Sequence, residues 1–269
     1  LTHTRELATQ VNTVTAALSN FMGIKINISV GGNPLKENIT ELLDNPHVVI
    51  GTPGRILDMI NKKALCTRHL KMLIIDEADE MLNMGFYEDI KSILNYTPKT
   101  KSSWLFSATM PPEVHTIAKK FMIAPIEIIV GTKNAGTKNV DHQYFIVPGR
   151  ERYTALRAVL GMNPYIFGCV FCRTKIETQK VAEKLIQDGH KAAAIHGDLS
   201  QNQRDSVMQS FRKKKIQLLI ATDVAARGID VEDITHVINY KLPDEIETYT
   251  HRSGRTGRDG KKVKCILFF

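Results

Sequence analysis

A chain of 269 residues with 43% hydrophobic content is long for one compact domain and comfortable for two of about 130 residues each. No stretch approaches the roughly 18 unbroken apolar residues of a membrane helix, and the opening "LTHTREL" lacks the basic, apolar and small-residue succession of a secretory signal, so no membrane segment and no membrane partner are expected, nothing argues for export, and a reducing, cytoplasmic setting is expected. The net charge of +8 favours a polyanionic partner without identifying it.

Apolar periodicity alternates between helix and strand from the start. A helix is predicted in "TRELATQVNTVTAAL", a strand in "IKINISV", a helix after "GGNPL", a strand in "HVVIG", a helix from Pro53 and a strand in "LKMLIID". An amphipathic helix around "YEDIKSILNY", the strand "SSWLFSAT", a helix from Pro111 and the strand "IEIIV" follow. Residues 131–139, "GTKNAGTKN", are small, polar and rich in Gly, the composition of an interdomain linker. A second series comprises "DHQYFIV", a helix from Arg150, "YIFGCVFC", the helix "TKIETQKVAEKLIQDG", "KAAAIHG", a helix near "QNQRDSVMQSFR", "IQLLIATD", "THVINY", a helix at "EIETYTHRS" and "KVKCILFF". Such alternation means parallel strands covered by helices, here in two α/β domains, residues 1–130 and 140–269.

Cys169 and Cys172 form a C-x-x-C inside a predicted strand, where residues three apart face opposite sides and cannot easily hold one metal. With Cys66 and Cys265 isolated in the sequence, all four cysteines are read as core residues.

"MLIIDEADEML", residues 72–82, sets four acids behind an apolar strand. Acids in that position are costly unless paired or holding a cation, and ligands of open α/β sheets bind beyond the carboxyl ends of strands. In nucleotide hydrolases such acids hold Mg²⁺ on ATP phosphates and orient the attacking water; the simpler use is to cap the next helix. "HRSGRTGR", residues 251–258, spaces Arg252, Arg255 and Arg258 three apart among small residues, a pattern whose guanidinium groups can converge on an anion. "TPGR", residues 52–55, offers a hydroxyl, a helix start and an Arg to a backbone phosphate.

These segments stand in a longer ordered set: "TRELA" at Thr4, "GG" at Gly31, "TPGR" at Thr52, "DEAD" at Asp76, "SAT" at Ser107, "VFCRTK" around Phe171, "HGDLSQNQR" at His196, "QSFR" at Gln209, "ATDVAARGID" at Ala221 and "HRSGRTGR" at His251. In that order they resemble the DEAD-box ATP-dependent RNA helicases of superfamily 2, and the wording "THRSGRTGR" resembles bacterial members. The resemblance implies two RecA-like domains, the first truncated at its N-terminus, with ATP, Mg²⁺ and RNA as ligands. It assigns Asp76 to Mg²⁺ through water and Glu77 to the hydrolytic water. Asp79, Ser107, Thr109 and His251 would couple the nucleotide and RNA sites. Arg255 and Arg258 would reach the γ-phosphate from the second domain, and Gly228 and Asp230 would lie at the ribose. Thr4, Arg5, Gly32, Thr52, Gly54 and Arg55 would follow the RNA backbone in the first domain, and Arg173, Gln209, Arg212 and Thr222 in the second. Backbone contacts of this kind give affinity without sequence choice, and contacts with the 2′-hydroxyl distinguish RNA from DNA.

The chain departs from the family pattern in four places. No G-x-x-x-x-G-K-[ST] phosphate loop occurs; "GTKNAGTK" from Gly131 has the glycine spacing but ends Thr-Lys and leads into a strand. The glutamine-bearing adenine segment is missing, both ends read as cut within a strand, and His3 stands where the family usually has Pro. The expectation is an internal piece of a competent helicase, without ATPase activity by itself; the alternative is a scaffold that binds RNA and hydrolyses nothing.

Overall fold

The computed structural model describes the chain except residues 33, 131–139, 227–230, 232 and 255–262 and the side chain of Glu247. The chain divides into two compact units, Leu1–Lys133 and Asn134–Phe269. The expected linker, 131–139, lies outside the described residues.

The first unit runs α1 (Arg5–Leu18), β1 (Ile26–Ser29), α2 (Leu35–Leu42), β2 (Val48–Gly51), α3 (Pro53–Asn61), β3 (Met72–Ile75), α4 (Ala78–Asn83), α5 (Tyr87–Tyr96), β4 (Ser102–Leu105) and α6 (Pro112–Phe121). Local chemistry sets the helix starts. Thr4 Oγ1 accepts the Leu7 N–H at 3.3 Å at the head of α1, and proline occupies the first turn of α3 and α6, where its missing N–H has no helical use.

β1 pairs with β2 and β3 with β4, both in parallel. Residues 1 and 2 bridge these two small sheets. The Leu1 amino group donates to the Ile74 carbonyl at 2.6 Å, and the Leu1 carbonyl accepts the Asp76 N–H at 3.1 Å. On the other side the Thr2 N–H donates to the Gly51 carbonyl at 3.0 Å, so the segment lies between β2 and β3. Leu73, Ile75, Met81, Ile90 and Val114 form the core beneath β3, while Ala8, Val30 and Ile50 seal α1 against β1 and β2.

The run "IEIIV", predicted as a strand, is not one. Residues 126–130 carry no strand, and Ile126 and Ile128 are 87% and 81% exposed. Apolar content makes a strand only where a neighbouring ladder takes its N–H and C=O groups.

The second unit runs β5 (Val140–Phe145), a 3-10 turn (Gly149–Glu151), α7 (Arg152–Met162), β6 (Gly168–Phe171), α8 (Lys175–Gln187), β7 (Ala192–Ile195), α9 (Gln201–Arg212), β8 (Leu218–Ala221), α10 (Asp223–Ala226), β9 (His236–Asn239), α11 (Ile246–Ser253) and β10 (Val263–Phe268). Its six strands are parallel in the order β5-β10-β9-β6-β8-β7. Crossover helices cover both faces, so β6 and β8 are apolar throughout, and β9 sets Val237 and Ile238 between the buried polar residues His236 and Asn239. Cys169, Leu219 and Val237 pack with Phe211 in one layer, and Val170, Ile220 and Ile238 pack with Leu160 and Leu185 in another.

Cys169 and Cys172 fall in those two different layers, as their spacing on a strand requires. Burial raises the thiol pKa of Cys172 and of Cys265. The core reading fails for Cys66, which is exposed because it lies between α3 and β3 and belongs to neither.

Candidate nucleotide and RNA sites

β3 ends at Ile75 and delivers Asp76, half-buried, to the carboxyl edge of its sheet. Glu77 follows in the left-handed region, φ 52° and ψ 54°, which disfavours a non-glycine residue by about 1 kcal/mol or more. This reversal starts α4 at once and turns Asp79 back toward the loop after β4.

Asp79 is 1% exposed, and its carboxylate is well supplied with donors. Oδ2 accepts the Thr109 N–H and the Thr109 hydroxyl, each at 2.7 Å, and Oδ1 accepts the Glu80 N–H at 3.1 Å. Ser107 Oγ accepts the Asp79 N–H at 3.2 Å and donates to the Thr109 carbonyl at 2.6 Å. Three of the predicted coupling residues, Asp79, Ser107 and Thr109, therefore form one hydrogen-bonded cluster directly behind Asp76 and Glu77.

One neighbour was not foreseen as part of this site. His3 Nδ1 lies 3.2 Å from Glu77 Oε2, and its side chain is fully buried. The sequence flagged His3 only as a departure from the usual proline; the contact depends on the bridging of β2 and β3 by residues 1 and 2, which local pattern does not encode.

The predicted RNA residues of this unit gather around β1, β2 and their following helices. Arg5, in the first turn of α1, lies on the Gly31–Gly32 turn: a Cβ built on Gly32 would come 2.1 Å from Arg5 Nη1, and Gly32 has φ +92°. Only glycine permits both the turn and this approach. Arg55 Nη1 donates to Asn38 Oδ1, and Asn38, 1% exposed on α2, donates in turn to the Ile28 carbonyl at 3.3 Å. Asn38 thus aims a predicted phosphate ligand, a role with no signal in the sequence. Thr4 has its hydroxyl engaged as the cap of α1, whereas Thr52 heads α3 without a side-chain cap bond. Gly54 lies in the first turn of α3, and a Cβ there would meet Asp89 Oδ2 at 3.7 Å.

In the second unit Arg173 and Thr222 lie just past the carboxyl ends of β6 and β8, and Gln209 and Arg212 are exposed on α9. Arg173 Nη2 pairs with Asp244 Oδ1 at 2.6 Å and donates to the Leu242 carbonyl at 3.3 Å. His251 is half-buried on α11. Gly228, Asp230, Arg255 and Arg258 lie outside the described residues.

Arg252 corrects the picture of three converging arginines. It is 4% exposed; its Nε and Nη2 form a forked pair with Asp223 at 2.5 and 2.7 Å, its Nη1 donates to Asn239 Oδ1 at 2.8 Å, and its guanidinium lies 5.1 Å from the Phe171 ring centre. A guanidinium with these partners anchors α11 to α10 and to the end of β9 instead of meeting a ligand.

Among the described residues no group of three or more His, Cys, Asp or Glu side chains could hold a metal, and no helix is long and apolar enough to cross a membrane. A single half-exposed carboxylate, Asp76, fits Mg²⁺, which keeps several waters and takes the rest of its shell from phosphates.

Each unit is built on parallel strands covered by helices, and polar side chains gather past the carboxyl ends of those strands, where open α/β sheets bind ligands. Residues 1–117 match the DEAD/DEAH box helicase family and residues 155–260 the helicase conserved C-terminal domain. A Methanocaldococcus jannaschii protein named as a probable ATP-dependent RNA helicase is 49% identical over 266 residues, 99% of this chain and 71% of that protein. The Bacillus cereus DEAD-box ATP-dependent RNA helicase CshA is 43% identical over 265 residues, 98% of this chain and 50% of that protein. The structure of Saccharomyces cerevisiae Dbp5 bound to RNA and ADP BeF3 matches with a TM-score of 0.88 at 30% identity, covering 100% of this chain and 70% of that one. The chain belongs to the DEAD-box RNA helicase family, with two RecA-like α/β domains. It spans about half the length of the CshA relatives it matches.

Proposed function

We propose that this chain is the part of an ATP-dependent RNA helicase that orients the hydrolytic water, follows the RNA backbone and links the two events, so that ATP hydrolysis drives local duplex opening or remodelling of RNA–protein assemblies. The cluster of Asp79, Ser107 and Thr109 behind Asp76 and Glu77 carries this reading, because it ties the loop after β4 to the hydrolytic acids through bonds that any movement of either must alter. Glu77 takes the proton of the attacking water as base, and Asp76 would hold Mg²⁺. When bound, that ion neutralises charge on the ATP phosphates. His251 joins the coupling set, Arg255 and Arg258 serve the γ-phosphate, and Gly228 and Asp230 the ribose.

RNA is held through its backbone by Thr4, Arg5, Gly32, Thr52, Gly54 and Arg55 in the first domain and by Arg173, Gln209, Arg212 and Thr222 in the second. Phosphate contacts of this kind bind without reading sequence, and contacts with the 2′-hydroxyl select RNA over DNA. The domain division, 1–130 and 140–269 with a linker at 131–139, and a cytoplasmic setting belong to the same proposal.

A second reading is an RNA-binding scaffold without catalysis. Measuring ATP turnover and RNA binding for this chain and for the full-length protein that carries it separates the two. The helicase reading predicts negligible turnover and weak, salt-sensitive RNA binding by the chain, with RNA-stimulated turnover by the full-length protein. Failure of the full-length protein to hydrolyse ATP would support the scaffold.

A further inference from the structure

We infer that His3 is a positioning residue for the Glu77 carboxylate, an assignment that rests on the reading of Glu77 as the base for the hydrolytic water. The contact joins a fully buried imidazole to a side chain that keeps 30% of its exposure, with Nδ1 and Oε2 at an ion-pair distance of 3.2 Å that is not aligned as a hydrogen bond in this structure. Burial of one partner and access for the other is the division of labour expected of a support and the group it supports.

His3 is held on both sides. The Thr2 N–H donates to Gly51 and the Leu1 carbonyl accepts from Asp76, so the backbone before it is fixed between β2 and β3; Thr4 after it caps α1. Glu77 has less freedom of backbone than of side chain: it sits in the left-handed region, locked by the start of α4, while its carboxylate is attached through three rotatable bonds. A donor on a rigid segment reduces that side-chain freedom. A small rotation of the Glu77 carboxylate brings Oε2 into line with Nδ1, which can donate in the neutral Nδ1–H tautomer and in the imidazolium, so the support needs no particular charge on the ring. Proline, the usual residue at this place in the resembling family, has no side-chain donor.

The test compares His3→Phe, which keeps a ring and removes the donor, with His3→Asn, whose amide nitrogen stands near the place of Nδ1. In the full-length protein, His3→Phe is expected to lower RNA-stimulated kcat about tenfold with the KM for ATP and the affinity for RNA unchanged, and His3→Asn to restore most of the rate. A His3→Phe protein with the native kcat, or a His3→Asn protein as slow as His3→Phe, overturns the assignment. Proton NMR of this chain decides the matter if His3→Phe does not fold: the His3 Nδ1–H resonance should shift in the isosteric Glu77→Gln variant, and an unmoved resonance counts against the contact. Hydrolysis by Glu77→Gln separates the two layers of inference. If that variant keeps its rate, the reading of Glu77 fails; if it loses its rate while His3→Phe does not, only the positioning role fails.

Discussion

Asp79 Oδ2 receives two hydrogen bonds from one residue, the backbone N–H and the hydroxyl of Thr109, at 2.7 Å each. A buried carboxylate with these donors fixes the loop after β4 relative to α4, and through α4 relative to Glu77. Asp79→Ala should destabilise the first unit by about 3 kcal/mol, because it leaves the Thr109 donors without their charged acceptor. Thr109→Val removes only the hydroxyl bond and should cost about 1 kcal/mol. Denaturant titration of both variants checks the order. Equal losses would show that the backbone N–H contributes nothing beyond the hydroxyl.

At the Gly31–Gly32 turn, sterics and RNA binding make a joint prediction. Gly32→Ala places a methyl group on the Arg5 guanidinium at a position with φ +92°, so Arg5 must leave its place. RNA affinity should fall about fivefold or more, as expected when one phosphate contact of roughly 1 kcal/mol is lost. Gly23→Ala is the control, since it also has positive φ but meets nothing within 4 Å. Fluorescence anisotropy with a short single-stranded RNA reads both, and equal affinities for the two variants would remove Arg5 from the RNA surface.

His236 gives the second unit a pH dependence. It is 8% exposed on β9, its Nδ1 lies 2.8 Å from Thr235 Oγ1, and Lys264 stands opposite it on β10. Burial first, and the Lys264 charge second, lower its pKa from the ordinary 6.5. In the window between the lowered folded value and the unfolded one, the unfolded chain binds the proton more readily, so stability falls as pH falls. The contribution is complete above the unfolded value near 6.5 and is lost toward the folded one. Thermal unfolding at about pH 7.5 and about pH 5.5 should show a lower Tm at the acid end, and His236→Gln should reduce the difference. An unchanged difference would assign the effect to other groups.

The order of strands and helices was readable because each element carries its own period: Gln201–Arg212 is helical over the quoted run "QNQRDSVMQSFR", and the four apolar residues Leu218–Ala221 are a fully buried strand. Cys169 and Cys172 show the same logic succeeding at side-chain level, since strand alternation alone sends them to opposite layers. What failed depends on partners distant in sequence. Ile126 and Ile128 look like strand residues until a ladder is sought for them. Arg252 looks like its neighbours Arg255 and Arg258, and only the folding of β9 and α10 toward α11 reveals Asp223 and Asn239 around it. The Asp79–Thr109 bonds cross 30 residues, and the His3–Glu77 contact crosses a sheet boundary; motif order pointed to the first and could not reach the second.

The most direct test of the account is single-turnover ATP hydrolysis by Glu77→Gln in the full-length protein with RNA present. The substitution keeps shape and hydrogen bonding but removes the base, so ATP and RNA should remain bound while hydrolysis falls by about a hundredfold or more. Hydrolysis at the native rate, with both ligands bound, would contradict the assignment of Glu77 and with it the mechanism built on the end of β3.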